Sequence, residues 1–415
     1  MAYGATGARL NQYAPGDAVW PTGASEERLA IVVGEEACPT MALSSAPGII
    51  WRRTGQTRKL YRYYSPSAFW TGPSLHRIRQ RRKTNDSRRQ TRPGDAIVLD
   101  GAIGSEIDRI GGKMDEAAWC GLANLTDPDT VRRVHESYLE AGADVITANT
   151  FASCRHVLEA VGYGDQTVSN IRRAVELARE ALDRVAPDRP VAVAGSMSNH
   201  VAWLPGTVGP DPAYEPSPQK QAANYREMAD VLAEAGCDLL VMEMMTDIEN
   251  ASRTMEAAVA TGLPVWTGIS TSRRPDDKMV GWNIVWEEAD GRVSEDYEQA
   301  ATKPLETIID ALYALGPQAV GIMHSSMPST TLGLEVLFDR WSGPVMAYPE
   351  ATGFDAETRQ NRRTVPPDEY AGYCRGWVDG GVQIIGGCCG TTVHHIRAMV
   401  DRLPARPGSR PGPTS

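Results

Sequence analysis

Residues 386–390 read Gly-Gly-Cys-Cys-Gly, directly after the apolar run Val382-Gln383-Ile384-Ile385. Successive side chains on a strand point to opposite faces, so vicinal cysteines in regular β-structure cannot share a ligand. Glycines before and after free the backbone from the pleat and let both sulfurs aim at one point. Two thiolates converging at a strand end make a soft-metal site, and zinc is the ion such a set suits. The competing reading is a pair of buried cysteines in a tight turn. The flanking Gly-Gly and Gly-Thr-Thr favour the metal.

The chain has 415 residues, 42% hydrophobic and 23% charged, the balance of a soluble globular protein. No run reaches the length of a membrane span and no signal segment opens the chain. Cysteines stand at 38, 120, 154, 237, 374, 388 and 389, an odd number without framework spacing. That argues against a disulfide scaffold and for a reducing, cytoplasmic setting.

The net charge of −10 conceals a split. Residues 1–94 carry 15 basic and 6 acidic side chains, a net of +9, while the remainder carries 27 and 46, a net of −19. The acidic part is not built to bind nucleic acid. The basic excess lies mostly in Arg77 to Arg92. Residues 1–94 lack sustained apolar periodicity and are rich in Gly, Pro, Ser and Arg. A disordered extension, a basic interaction arm and a start codon set too far upstream all fit that composition, and a largely disordered segment is expected. The tail 404–415, with Pro404, Pro407, Pro411 and Pro413, is expected to be unstructured as well.

Between these ends, over 95–403, short apolar strands alternate with amphipathic helices. Strands are predicted at 97–99, 145–148, 191–194, 239–242, 265–269, 319–323, 345–348 and 382–385. Helices are predicted over 129–141, 167–185, 217–235, 247–261, 299–315, 329–340, 367–379 and 392–402. Ala-Gly-Ala-Asp at 141–144 and Ala-Gly-Cys-Asp at 235–238 read as helix stops with Gly in the left-handed cap. Eight strand–helix units are the count of an α/β (β/α)8 TIM barrel. A doubly wound sheet is the alternative, but no Gly-rich phosphate loop follows any of the strands.

Chemistry in such a barrel gathers at the C-terminal strand ends. There stand Asp100-Gly101, Asn149, Ser196, Glu243, Ser270-Thr271, His324, Glu350 and the Cys388-Cys389 pair. His324, Cys388 and Cys389 make three possible zinc ligands, which leaves a coordination position for an exogenous thiol. Asp100 and Glu243 can hold the amino group of a small thiol amino acid, though an Asp after a strand also opens turns and a Glu can serve a structural Arg. His135, His156, His394, His395 and the cysteines at 120, 154, 237 and 374 read as structural, and Trp266 and Phe151 as core.

Four segments carry a family resemblance. They are Val98-Leu99-Asp100-Gly101-Ala102-Ile103-Gly104-Ser105-Glu106, Gly142-Ala143-Asp144-Val145-Ile146-Thr147-Ala148-Asn149-Thr150-Phe151, Asp238-Leu239-Leu240-Val241-Met242-Glu243 and Ile385-Gly386-Gly387-Cys388-Cys389-Gly390-Thr391. In this order, over about 96–402, the chain resembles the homocysteine S-methyltransferases. The resemblance implies a (β/α)8 barrel that methylates the thiol of homocysteine to give methionine. It implies zinc on Cys388 and Cys389 with a third cysteine after strand six, and homocysteine contacts at Asp100, Gly101 and Glu243, with Asn149 in the same pocket. This chain departs from the pattern with His324 in the place of that third cysteine, and a neutral imidazole remains a good zinc ligand. It departs again at Glu350, where many relatives have Asn after the Pro.

Methyl transfer to a thiolate needs positioning more than acid–base help. A sulfonium or quaternary ammonium donor fits, held against aromatic faces. Trp203, Tyr214, Trp282 and Trp286 lie in two long segments, 197–216 and 271–298, that read as lids; packing of those loops is the plain alternative. A folate donor with its own modules has no room in this chain. The expected partners are therefore homocysteine and a methyl donor, with no nucleic acid, no membrane, and a homo-oligomer left open. A barrel methyltransferase with another thiol or selenol acceptor, and a zinc- or thiol-binding protein without turnover, are the alternatives.

Overall fold

The computed structural model describes residues 96–203, 210–274, 276–282, 303–352, 354–355, 360–361 and 364–404. The expectations for 1–94 and 405–415, and the one for Trp286, lie outside them. Eight parallel strands form the frame: β1 Ile97–Val98, β2 Val145–Ala148, β3 Ala192–Ser198, β4 Leu239–Met245, β5 Val265–Arg273, β6 Ala319–Met323, β7 Val345–Tyr348 and β8 Ile384–Ile385. A helix follows each strand: α1 Pro128–Ala141, α2 Thr167–Val185, α3 Pro218–Glu234, α4 Ile248–Val259, α5 Leu305–Tyr313, α6 Met327–Arg340, α7 Pro367–Asp379 and α8 Val393–Arg402. The ladder runs β1-β8-β7-β6-β5-β4-β3-β2. A single bridge, Leu99 to Val145, joins β1 to β2 and nearly closes the barrel. No described helix is long and apolar enough to cross a membrane.

The strands read as continuous apolar runs because both faces are covered. β2, β6 and β7 are buried along their whole length. Register is fixed at the strand starts by side chains from the next strand. Asp144 accepts from Val98 N at 2.9 Å, and Asp238 accepts from Val193 N at 2.7 Å. Gln318 accepts from Val265 N at 2.5 Å, and Gln383 accepts from Val345 N at 3.1 Å. The residue entering each even strand thus occupies an otherwise orphaned amide at the start of the odd strand before it. Gly142, with φ 104°, supplies the left-handed cap between α1 and Asp144 that the sequence predicts.

Several boundaries differ from those expected. β3, β4 and β5 continue to Ser198, Met245 and Arg273, past the polar residues read as their ends. Backbone pairing does not stop where hydrophobicity does: Ser198 still registers with Glu243. β8 keeps only Ile384 and Ile385 of the predicted 382–385. An unforeseen hairpin returns β5 on itself, Met279–Gly281 pairing antiparallel with Thr271–Arg273. The β1–α1 connection holds two further short helices, Ile103–Arg109 and Ala123–Thr126.

Candidate active site

The C-terminal strand ends surround a cavity of about 720 Å³. One side is built by β6, β7 and β8. His324 follows β6 with φ 40°, a left-handed conformation that is uncommon for a side chain of this size. Its backbone N–H reaches Tyr348 O at 3.3 Å. The Cys-Cys turn is tied down on both flanks. Gly387 N donates to Asp100 O at 3.0 Å, Cys388 N to Pro349 O at 2.8 Å, and Ala351 N to Cys389 O at 2.8 Å. Thr391 Oγ1 caps the turn by donating to Cys388 O at 2.6 Å. Gly390, at φ 71°, reverses the chain there. Both sulfurs therefore face the same space, as the glycine pattern predicts.

Cys388 Sγ lies 3.5 Å from His324 Nδ1 and 3.9 Å from Cys389 Sγ. One ligand atom from each of the three residues falls within 4.8 Å of the other two. Two sulfurs and one imidazole nitrogen converging at a cavity wall fit a soft, tetrahedral divalent ion. The thiols behave as a pair. The Cys388 S–H and then His324 hold Cys389 well below the usual thiol range, and Cys388 rises in consequence.

Glu243, on β4, lines the cavity. Met244, next to it, takes φ 56°, and the pairing register between β4 and β5 shifts across Met242 to Met245. This irregularity lets Glu243 and Met244 both line the cavity, although neighbours on a strand normally alternate. Burial pushes the Glu243 carboxyl up to about 7; the Ser196 hydroxyl, which donates to it, opposes the rise. Asp100 is also pushed up to about 7, chiefly by burial. Its oxygens are engaged by Thr147, through the backbone N at 2.7 Å and the hydroxyl at 2.9 Å. Asp100 lies beneath the cavity wall and Thr147 lines it. Gly101 lines the cavity too, pressed so close to Tyr138 that a Cβ would stand 2.7 Å from its hydroxyl oxygen. Asn149 lines the wall with its amide committed to Cys120 O at 2.9 Å and Asn124 Oδ1 at 3.1 Å. Glu350, 5% exposed, lies between the His324 and Cys388 strand ends, its N–H 3.2 Å from Ser325 O.

The opposite side, from β1 to β3, is aromatic. Trp119 meets Phe151 edge-on with centroids 5.8 Å apart and lies 6.4 Å from Trp203. His200 fills the gap, 5.3 Å from Trp203 and 5.5 Å from Phe151. Burial pushes His200 down to about 4, so it is neutral at physiological pH. Of the aromatic residues picked out in the sequence, Trp203 and Trp282 line the cavity, while Tyr214 is 42% exposed and does not. Phe151, expected in the core, belongs to the wall instead. Trp119, His200 and Cys120 were not foreseen as lining residues. Trp119 sits in the irregular β1–α1 connection, where periodicity carries no signal.

A family model described as Homocysteine S-methyltransferase matches residues 97–403. The chain belongs to the homocysteine S-methyltransferase family. It is 28% identical to Homocysteine S-methyltransferase 2 of Arabidopsis thaliana, over 75% of this chain and 93% of the relative. It is 27% identical to the Selenocysteine Se-methyltransferase of Brassica oleracea var. italica, over 75% and 90%. Its fold is similar to that of the metallated homocysteine methyltransferase MmuM from Escherichia coli, with a TM-score of 0.56 at 23% identity, covering 77% of this chain and 99% of that one. As a homocysteine S-methyltransferase family member the chain is an enzyme of methyl transfer. The cavity between the metal-ligand side and the aromatic side is its candidate active site.

Proposed function

We propose that this homocysteine S-methyltransferase family member moves a methyl group from a sulfonium or quaternary ammonium donor to the thiol of homocysteine, forming methionine, with zinc held by His324, Cys388 and Cys389. The observation that carries this reading is the convergence of those three side chains within 4.8 Å on one wall of a cavity whose other wall is aromatic. Zinc bound there would favour the thiolate form of an incoming thiol at neutral pH. The remaining work falls to the protein's own groups. Glu243, oriented by Ser196, offers a carboxylate to the amino group of the acceptor. Gly101, backed by Tyr138, lines the wall with Thr147 and Asn149 where the acceptor would lie, and Asp100 holds Thr147 in place.

Trp119, Phe151 and Trp203 line the side of the cavity where a cationic donor would meet aromatic rings. A neutral His200 among them adds no repelling charge. In the transfer, the acceptor sulfur forms a bond to the methyl carbon as that carbon's bond to the donor breaks. The bonding pair leaves with the donor, which departs as a neutral thioether or amine. No acid or base is required at that step, so positioning and exclusion of water carry the rate. A reducing, cytoplasmic setting keeps Cys388 and Cys389 as thiols; all six cysteines among the described residues are unpaired.

A selenol acceptor is the second reading. It rests on the relatives named selenocysteine methyltransferases and on a soft-ligand site that suits selenium as well as sulfur. The test is metal content of the purified, reduced protein and of Cys388→Ala, followed by methyl-transfer assays with homocysteine and selenocysteine against several onium donors. About one zinc per chain, lost in Cys388→Ala, with methylation of homocysteine, is the expected result. A wild-type protein that keeps no zinc, or no turnover with any acceptor, overturns the reading.

A further inference from the structure

His324 poses a problem that a cysteine at the same place would not. A thiolate ligand is placed by one side-chain torsion. An imidazole needs a second torsion fixed before a chosen nitrogen faces the ion. His324 also starts from a left-handed backbone, φ 40°. Metal-bound histidines are usually oriented by a partner outside the coordination sphere, and loss of such a partner weakens metal binding roughly 10- to 100-fold.

The β5 hairpin meets that need. Trp282, the residue just after its return strand, packs T-shaped on the His324 ring, centroids 5.0 Å apart and planes at 69°. Its main chain is fixed by donation from its N–H to Ser270 O at 2.9 Å. The hairpin itself is fastened to the segment that carries His324. Thr271 N donates to Ser325 Oγ at 2.9 Å, and Ser325 Oγ donates to Met323 O at 2.7 Å. Thr271 Oγ1 also donates to Val280 O at 2.7 Å, closing the hairpin across its two strands. On its other side the return strand lies close against the β4–α4 connection, where any Cβ at Gly281 would collide with Thr246 O. The two residues on either side of His324 are thus bonded into β5, and the ring between them is braced by Trp282.

From this arrangement we propose that Trp282 is a positioning residue for the third metal ligand: the β5 hairpin exists in this chain as a clamp that holds the imidazole of His324 with Nδ1 toward Cys388. The proposal rests on the reading that His324, Cys388 and Cys389 bind the ion. The clamp acts on ring orientation, so it matters only while the ligand is a ring. A cysteine at 324 has no ring to brace.

That dependence gives the test, a double-mutant cycle on the full chain. Zinc affinity is measured by competition with a chromophoric chelator for wild type, Trp282→Ala, His324→Cys and the double variant, and the Co(II) ligand-field spectrum is recorded for each. Trp282→Ala should lower zinc affinity roughly 10- to 100-fold and broaden or shift the Co(II) bands. In the His324→Cys background it should change affinity little, a coupling the cycle reads directly. Trp282→Phe keeps a ring against the imidazole and should restore most of the affinity, which guards against a folding defect in the alanine variant. Equal losses in the two backgrounds, or an unchanged affinity and spectrum in Trp282→Ala, overturn the clamp. Wild-type protein that binds no zinc overturns the metal reading itself, and the clamp with it.

Discussion

Replacing Glu243 by Gln separates charge from shape at the acceptor site. Glutamine has the same outline and can still accept the Ser196 hydroxyl that now holds Glu243. What it lacks is the negative charge that, in the proposed function, faces the acceptor's ammonium. A hydrogen bond to a charged group contributes about 1.5–3 kcal/mol, so the acceptor KM should rise roughly 10- to 150-fold at pH 8. Because the ammonium is held alike before and during transfer, kcat should change far less. The pH dependence follows from the carboxyl at about 7, raised there mainly by burial. Wild-type kcat/KM for the acceptor should climb as pH passes through 7 and Glu243 ionises, and Glu243→Gln should lose that limb. Asp100, also near 7, will not replace the limb, since Thr147 occupies its oxygens.

Stability offers a second readout with the opposite sign. A folded-state value of about 7 against a usual 4.5 favours the fold at low pH, and that advantage disappears as pH rises through 7. Above pH 7 the ionised carboxylate costs the metal-free fold at most about 3 kcal/mol, reduced by its partial opening to the cavity. Metal-free Glu243→Gln should therefore melt a few degrees above wild type at pH 8 and at or below it at pH 4. Steady-state kinetics with varied acceptor and thermal melts at both pH values test this. An unchanged KM at pH 8, or a lower melting temperature there, refutes the reasoning.

His324→Cys should retain zinc while adding an anionic ligand, which makes the site a weaker acid and raises the pH at which the acceptor thiol ionises; an unchanged pH–rate profile counts against it. Gly390→Ala places a side chain at φ 71° and into the Thr352 side chain. It should cost about 1–2 kcal/mol from the backbone alone, with a further cost from the collision, and weaken zinc retention. Adding Thr352→Ala should recover only the collision part in denaturant melts. His135, buried with both ring nitrogens unpartnered, is pushed down to about 4. Its contribution is intact above pH 6.5 and is lost as pH falls toward 4, by about 3 kcal/mol. His135→Leu should therefore show a shallower loss of stability across that window in denaturant titrations.

The barrel was readable because a parallel sheet covered on both faces leaves short, nearly continuous apolar runs, each followed by an amphipathic helix. Strand length was less readable. The ends of β3, β4 and β5 run past the apolar core layer: Ser198 and Thr271 donate their hydroxyls to Phe151 O and Val280 O, Glu243 lines the cavity, and all three backbones still pair. Hydropathy records the side chain's surroundings, and these are backbone carbonyls or the cavity rather than apolar core. The Met279–Gly281 return strand is only three residues long and had no pattern to show.

The two sides of the active site were unequally visible for a related reason. On the metal side the chemistry is carried by rare residue types, so Cys388, Cys389 and His324 could be picked out by identity, and the glycines around the cysteines announced the turn. On the aromatic side the same residue types serve core and cavity alike. Trp203 and Trp282 could be suspected from loop length, but Phe151 was indistinguishable from core and Trp119 lies in a connection with no period. The acidic pair shows the limit most sharply. Asp100 and Glu243 both end apolar strands, and one faces the cavity while the other supports Thr147 from beneath it. Beside Glu243, the left-handed turn at Met244 brings two consecutive residues to the same side of β4. A methionine carries no hint of that conformation, because the strain is imposed by the packing of β4 against β5 and by donation from Met244 N to Met323 Sδ at 2.8 Å. The cavity-facing turn beside Glu243 is thus set by tertiary contacts with β5 and β6, the same pair of strands that brings Trp282 onto His324.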